Sequence, residues 1–328
     1  VRMQNTLFID TRTPAEFEED HIPRAINLPV LSNEERALVG TIYKQKSKEE
    51  AIIVGKEFFT RKQPEFLREI KKNKTKKLII NCWRGGMRSK FIVDLLRSLG
   101  YEAYQLQGGY KEYRRYVREQ LEQFQLKPKL IVLWGLTCTG KTKLLSFFPN
   151  SLDLEGLAQH RGSLYGGIGL TPRTQKAFEN VLFWKLQELN GEKYILLEGE
   201  SRKIGDVQMP DFLYKAMLKG IPILITRNLE RRAEHALQEY FKTKEDLQRI
   251  KEVTAHLFKV ISKEKQQKVL ELLDKGNNKE AVKILLEFYY DPLYNHTIKK
   301  KEYRFEIDTD DLQKGVRTLK GILGGNFC

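Results

Sequence analysis

Short apolar runs alternate with helix-period stretches along the chain. Residues 7–10 predict a buried strand, and a Thr-Pro pair then opens a helix over residues 15–19. Residues 77–81 (Lys77-Leu78-Ile79-Ile80-Asn81) predict a second strand that runs straight into Cys82. From Ser89 to Leu99 the apolar positions Ile92, Leu95, Leu96 and Leu99 keep a helical period, and Gly100 stops it. Residues 103–106 predict a third strand, after which Gly108-Gly109 turns the chain into another helix. Strands alternating with helices imply an α/β fold with a mostly parallel sheet.

The helix after Gly109 carries Tyr110, Tyr113, Val117, Leu121 and Phe124 at spacings of three and four. An aromatic stripe beside Arg114, Arg115 and Arg118 could stack RNA bases. The core-facing stripe of an amphipathic helix explains the spacing better, and leaves the three arginines on the opposite face as candidate phosphate contacts. Residues 125–128 read as a boundary, giving one domain over residues 1–125 and a second over 126–328. The second domain opens with an apolar strand at 130–134, with further strands predicted at 194–197 and 221–226. From about residue 230 to Pro292 the chain reads as a highly charged helical appendage, and 303–307 returns as a late strand.

Composition adds a partner and a compartment. With 58 Lys and Arg against 43 Asp and Glu, the net charge is +15. Such a surplus suits a polyanion, because each neutralised phosphate releases counterions, although a uniformly lysine-rich surface would give the same total. The basic residues cluster at 61–77 and 111–118. Cys82, Cys138 and Cys328 do not make a disulfide framework and suit a reducing cytoplasm, the expected location. No apolar run approaches the ~18–20 residues of a membrane span, so no membrane association is expected.

The segment Cys82-Trp83-Arg84-Gly85-Gly86-Met87-Arg88-Ser89 joins a predicted strand to a helix N-terminus. Backbone N–H groups of such a loop converge, the helix dipole adds partial positive charge, and Arg84 and Arg88 add full charges. Together they favour a thiolate on Cys82 and an oxyanion in front of it. Two activities fit: sulfur or selenium transfer through a persulfide or perselenide, and phosphatase chemistry, since Cys82-x5-Arg88-Ser89 has the cysteine-phosphatase spacing. Asn81 stands where such phosphatases usually carry His. Upstream, Asp10-x-Arg12-x-x-x-Glu16-Phe17 and His21-Ile22-Pro23-x-Ala25 resemble the signature of rhodanese-like domains, with Asp20 and Arg24 replacing family glycines.

Gly135-Leu136-Thr137-Cys138-Thr139-Gly140-Lys141-Thr142 follows an apolar strand and opens a helix, the context that a P-loop requires. Main-chain N–H groups from Gly135, Thr137, Thr139 and Gly140 would cradle a phosphate chain, Lys141 would neutralise it, and the Thr142 hydroxyl is the candidate ligand for Mg2+. Cys138, at a position often occupied by Gly, reads as a space-filler. The strand at 194–197 delivers Glu198 and Glu200 to its C-terminal end, as metal- or water-directing candidates. Glu155, His160, Arg161 and Arg202, in nearby polar segments, are candidates for substrate or metal contacts.

Longer strings identify a closer resemblance. They are residues 33–45 (Asn33-Glu34-Glu35-Arg36 to Tyr43-Lys44-Gln45), the Cys82–Lys90 loop, Gly108-Gly109-Tyr110-Lys111, Asp153-Leu154-Glu155-Gly156-Leu157 and His160-Arg161-Gly162-Ser163. Thr174-Gln175-Lys176, Phe178-Glu179, Glu200-Ser201-Arg202-x-Ile204-Gly205 and Tyr290-Asp291-Pro292-x-Tyr294 complete the set. In this order, over nearly the whole chain, they resemble bacterial tRNA 2-selenouridine synthases, with departures at Cys138 and at Gly199, where an acidic residue is expected. The resemblance implies a rhodanese-like parallel-sheet domain followed by a P-loop α/β domain with its helical appendage. It also implies a transferase that converts wobble 2-thiouridine of tRNA to 2-selenouridine through an S-geranylated intermediate. Geranyl diphosphate and selenophosphate would be cosubstrates, with no permanent prosthetic group. A tRNA anticodon would be the partner of the basic surface, Arg114, Arg115 and Arg118 included, and a selenophosphate-supplying enzyme a further partner. Three other readings remain open at this stage. They are an ATP-dependent tRNA sulfurtransferase, a rhodanese-fold cysteine phosphatase fused to a P-loop domain, and an RNA-binding protein whose first domain only docks.

Overall fold

The computed structural model describes residues 5–73, 76–257 and 260–325; Cys328 lies outside them. The chain divides into two units, Val1–Gln123 with Glu179–Phe183, and Phe124–Phe178 with Trp184–Cys328. In the first, β1 (Thr6–Asp10) leads through α1 (Pro14–Glu19) to β2 (Ile26–Asn27), then to α2 (Asn33–Gln45) and α3 (Lys48–Lys71). β3 (Lys77–Asn81), α4 (Met87–Ser98), β4 (Ala103–Gln105) and α5 (Gly109–Glu122) follow. The strands are parallel, in the order β2-β1-β3-β4. β1 and β3 bury Ile9, Leu78 and Ile80 completely or nearly so, as a two-sided parallel strand requires.

The pair α2–α3 was not legible from periodicity. Ser32 and Glu35 form a reciprocal capping box that starts α2, and Ser47 caps α3 by accepting from the Glu50 N–H. α3 contains Pro64, which reads as a breaker because it lacks an N–H. The helix continues past it because Phe59, Phe66 and Ile70 bury one face, with Phe59 edge-on to both Phe66 and Phe91. On α5 the core-facing stripe is as expected at Tyr110, Val117 and Leu121. Phe124 differs: it lies beyond the end of α5 and stacks on Phe212, 5.6 Å between ring centroids.

The second unit begins with β5 (Lys129–Trp134), α6 (Lys141–Leu145), β6 (Ser151–Leu152), α7 (Leu154–Ala158) and α8 (Gln175–Leu189). β7 (Tyr194–Glu198), the antiparallel pair β8 (Lys203–Ile204) and β9 (Val207–Gln208), α9 (Asp211–Lys219) and β10 (Ile221–Thr226) come next. Then α10 (Leu229–Tyr240), α11 (Lys244–Ala255), α12 (Lys263–Asp274) and α13 (Asn278–Leu285) build the appendage. α14 (Asp291–Ile298), β11 (Phe305–Asp308) and α15 (Leu312–Gly324) close the unit. Its five-stranded parallel sheet has the order β11-β10-β5-β7-β6. β5 is central and apolar on both faces, so its end is the best-supported platform in the unit.

The appendage has its own apolar centre, in which Ile250, Val269, Leu273, Ala281 and Leu286 meet Tyr165 and Tyr290. Its predicted end at Pro292 is a correction. A π-helical turn at Leu286–Tyr290 runs into α14, where Pro292 occupies the first turn and needs no N–H donor, so helix continues to Ile298. No helix among the described residues is long and apolar enough to cross a membrane.

Phe59 is fully buried between two rings. Phe59→Ala should therefore cost about 3–5 kcal/mol, read as a lowered urea midpoint. A loss below about 1 kcal/mol would show that α3 contributes little to this core.

Candidate functional site

Each unit carries one site at the C-terminal end of a buried strand. In the first unit, β3 ends at Asn81 and presents Cys82, which is only 3% exposed. The Gly86 N–H donates to Cys82 Sγ at 3.2 Å, and Ser89 Oγ lies 3.1 Å from it. Gln105 fixes that shape, because its Nε2 donates to Ser89 Oγ and to the Gly85 carbonyl, each at 2.8 Å. The turn back into α5 demands glycine at residue 109, where φ is +61° and a Cβ would collide with the Cys82 carbonyl and the Gly85 N–H.

Arg88 is held in place rather than left free. Its Nη1 donates to Glu16 Oε2 at 3.1 Å, and the same oxygen accepts from the Thr13 N–H. Burial pushes the Glu16 carboxyl up, but the Arg88 charge and the Thr13 N–H outweigh it and keep the group below its ordinary range. Arg84 is exposed beside the loop. The arrangement supplies N–H and O–H donors to a thiolate, with one fixed cation and one exposed cation nearby. Sequence reasoning missed Glu16, Ser89 and Gln105 as its supports. On α5, Arg118 is exposed, Arg115 is exposed and pairs with Glu112, and Arg114 is ion-paired to Glu179.

In the second unit, Gly135–Thr142 wraps from β5 into α6. Gly135 approaches β10 so closely that a Cβ would strike the Ile225 carbonyl, and Gly140 has φ +86°. Lys141 Nζ donates to the carbonyls of Gly135 (2.9 Å) and Leu136 (3.1 Å), and Thr139 Oγ1 donates to Leu136 (2.9 Å). Cys138, at φ +63°, packs its side chain against the appendage centre, and burial pushes its thiol up to about 12. That is the setting of an inert space-filler.

The loop faces a cavity of about 440 Å³ into which Glu155 and Glu200 project beside Lys141 and Thr142. Thr142 Oγ1 donates to Glu155 Oε2 at 3.4 Å. Glu198, the last residue of β7, is wholly buried; one oxygen accepts from the Glu155 N–H at 3.2 Å and the other has no hydrogen-bond partner among the described residues. Burial, then the Glu200 charge, pushes the Glu155 carboxyl up to about 8. Burial raises Glu200 to about 6 against the pull of Lys141, and lifts Glu198 well above the usual carboxylate range. Among the described residues, no group of three or more His, Cys, Asp or Glu side chains is placed to hold a metal ion by itself.

The remaining predicted residues divide. Arg161 lines the cavity, bonded to the Ile168 carbonyl at 2.9 Å and paired with Glu239 at 3.3 Å. His160 is packed among Gly166, Gly167 and Gly205, and its Nδ1 accepts from the Gly162 N–H at 3.2 Å, so it shapes the loop. Arg202 is exposed and pairs with Asp211. Gly199 departs from the expected acid for a steric reason: a Cβ there would collide with the Trp134 ring. His235, Glu239 and Tyr240, one face of α10, complete the wall and were missed because the charged block around them reads only as a solvated helix surface.

The raised carboxyls set a pH dependence. The folded chain holds protons that an unfolded chain releases near its ordinary carboxylate value of about 4.3, so the fold loses stability as pH rises from about 5 to about 8. Glu198→Gln removes part of that penalty while keeping the shape. Its melting temperature should exceed that of the parent at pH 8 and approach it at pH 5, and a variant less stable at pH 8 would show that Glu198 is ionised. Gly109→Ala should distort the Cys82 loop directly. Its expected signature is loss of Cys82-dependent activity, with P-loop ligand binding retained; full Cys82-dependent activity would contradict the steric account.

Comparison with known proteins matches this arrangement. Residues 2–116 match the rhodanese-like domain, and residues 128–257 match the family described as the tRNA 2-selenouridine synthase AAA domain. A tRNA 2-selenouridine synthase of Hydrogenovibrio crunogenus is 33% identical, with 93% of this chain and 92% of that protein aligned. One from Nitrosomonas europaea is 31% identical over 90% of each, and one from Sulfurovum sp. is 31% identical over 92% of this chain and 91% of that one. A rhodanese-like domain followed by the family's own second domain, with likeness along almost the whole length, shows that the chain belongs to the tRNA 2-selenouridine synthase family of enzymes.

Proposed function

We propose that this enzyme replaces the sulfur of a wobble 2-thiouridine in tRNA by selenium, in two chemically distinct steps. In the first, the P-loop holds the diphosphate of geranyl diphosphate. The thiouridine sulfur attacks the first carbon of the geranyl chain, the carbon–oxygen bond breaks with its electron pair leaving on the diphosphate, and the base loses its N3 proton. Lys141 and the loop N–H groups stabilise the departing charge. In the second step, the selenium of selenophosphate attacks C2 of the base. The geranylthio group (a better leaving group than the original sulfur) departs and takes a proton as geranylthiol, and water cleaves the selenium–phosphorus bond to release phosphate. The Cys82 loop, with its donors and Arg84, suits the selenophosphate oxyanion.

The observation that carries the geranyl reading over a nucleotide is an apolar crevice beside the P-loop. It opens at Thr137 and Cys138 and is walled by Tyr165, Ala236, Ile250 and Leu286. Its volume of about 30 Å³ admits one small branch, so a ten-carbon chain would lie mainly in the larger cavity with one end in the crevice.

Mg2+ fits the same cavity. The Thr142 hydroxyl, Glu155 and Glu200 offer oxygen donors, while the diphosphate and water would supply the rest, the usual division of ligands for this ion. Bound there, Mg2+ would neutralise the leaving diphosphate. Selection of tRNA falls to the basic surface, of which Arg118 and Arg115 are the exposed members on α5.

The two steps should separate by mutation. Cys82→Ser, which keeps loop shape, should accumulate S-geranylated tRNA and fail to incorporate selenium, as read by nucleoside mass spectrometry. Lys141→Ala should slow geranylation by about 10²–10³, yet still convert pre-geranylated tRNA. Equal loss of both steps in both variants would replace this scheme by one composite site. ATP or GTP consumption during turnover would favour a nucleotide-dependent sulfurtransferase.

A further inference from the structure

The P-loop N–H groups can cradle a diphosphate, but its negative charge exceeds the single charge of Lys141. A set of basic groups outside the motif converges next to the same loop. Lys143 and His235 line the cavity together with Lys141 and Gly140. Arg227, the first residue after β10, lies against the loop from the other strand: its Nη1 is 3.4 Å from where a Cβ on Gly140 would stand. Its Nε is buried and has no hydrogen-bond partner among the described residues. A guanidinium with a buried, unused donor is costly unless an acceptor arrives. The charged groups around Arg227 are Asp310, Arg231 and Glu234, and those around His235 are Arg227, Glu239, Lys143 and Lys141. Lys141, Lys143 and Arg227 thus gather around Gly140 and His235, with Glu239 as a counter-charge.

We propose that Arg227, Lys143 and His235 form an anion subsite beside Gly140, which joins the P-loop in holding a diphosphate and engages the part of it that inorganic phosphate would not reach. The inference rests on the diphosphate reading above and extends it to residues outside the motif. In alkyl transfer the electron pair of the broken carbon–oxygen bond stays on the diphosphate, and Arg227 meets that charge with fixed N–H donors and no proton transfer. His235 adds a sensor. Burial, then the Arg227 charge, holds its imidazole down to about 4 against the pull of Glu239, with Lys143 and Lys141 adding to the depression, and an anion among those cations would relieve it.

The test uses the full chain, with inorganic diphosphate and inorganic phosphate as probes in calorimetric titrations, and thermal melts to verify folding. Arg227→Gln should weaken diphosphate binding about 10- to 100-fold and leave phosphate binding unchanged. Arg227→Lys should recover part of the loss, because it keeps the charge but not the fork. The His235 ring protons, followed by NMR, should titrate at higher pH with diphosphate bound, and also at higher pH in ligand-free Arg227→Gln. Equal weakening toward both anions would make Arg227 a support of the loop, and no weakening, no preference of the parent for diphosphate, or an unmoved His235 midpoint would each overturn the subsite. The geranyl reading fails separately. A parent chain that shows the Arg227-dependent preference but transfers no geranyl group keeps the subsite and loses that substrate, whereas geranyl transfer with normal diphosphate binding by Arg227→Gln does the reverse.

Discussion

Both sites depend on a single constraint, the turn that a buried parallel strand must make when it leaves the sheet. β3 and β5 each end against a glycine-bearing loop whose next residues start a helix. Such a turn tolerates side chains only where nothing approaches closely. In the first unit Gly109 leaves room for the Cys82 carbonyl, and in the second Gly135 leaves room for the Ile225 carbonyl. Filling either space would displace the loop backbone.

Around those loops the two units solve the charge problem in opposite ways. The Cys82 loop fixes Arg88 with Glu16, so a cation is already neutralised and oriented before any substrate arrives. The P-loop cavity instead gathers carboxyls that burial makes reluctant to ionise, with Lys141 alongside. Perturbed acids in a cleft mark functional ground because stability alone gives no reason to keep them. The unpartnered oxygen of Glu198 belongs to the same pattern.

The appendage gives the P-loop unit its chemical character. α10 adds His235, Glu239 and Tyr240 to the cavity wall, and the apolar centre behind them reaches Cys138 through the crevice. The P-loop thus borders a hydrocarbon-lined slot. The left-handed backbone at Cys138, where glycine is usual, is tolerated because the side chain finds apolar neighbours there.

Local pattern alone determined the strands around residues 7–10, 77–81, 130–134, 194–197 and 221–226, and the two glycine loops, because buried strands and anion cradles are both written in consecutive residues. The α2–α3 pair escaped it, since Pro64 and a weak apolar period hide a helix that only packing of Phe59, Phe66 and Ile70 sustains. Pro292 misled in the same manner: a preceding π-helical turn let the proline begin a helix rather than end one. Which candidate side chains meet was likewise a tertiary decision. Glu155, Glu200 and Arg161 share the cavity with Lys141, whereas His160 is caged by glycines and Arg202 pairs at the surface. Sequence spacing cannot specify such meetings, because Glu155, Glu200 and His235 come from segments far apart in the chain and are gathered by the sheet order and by the packing of α10.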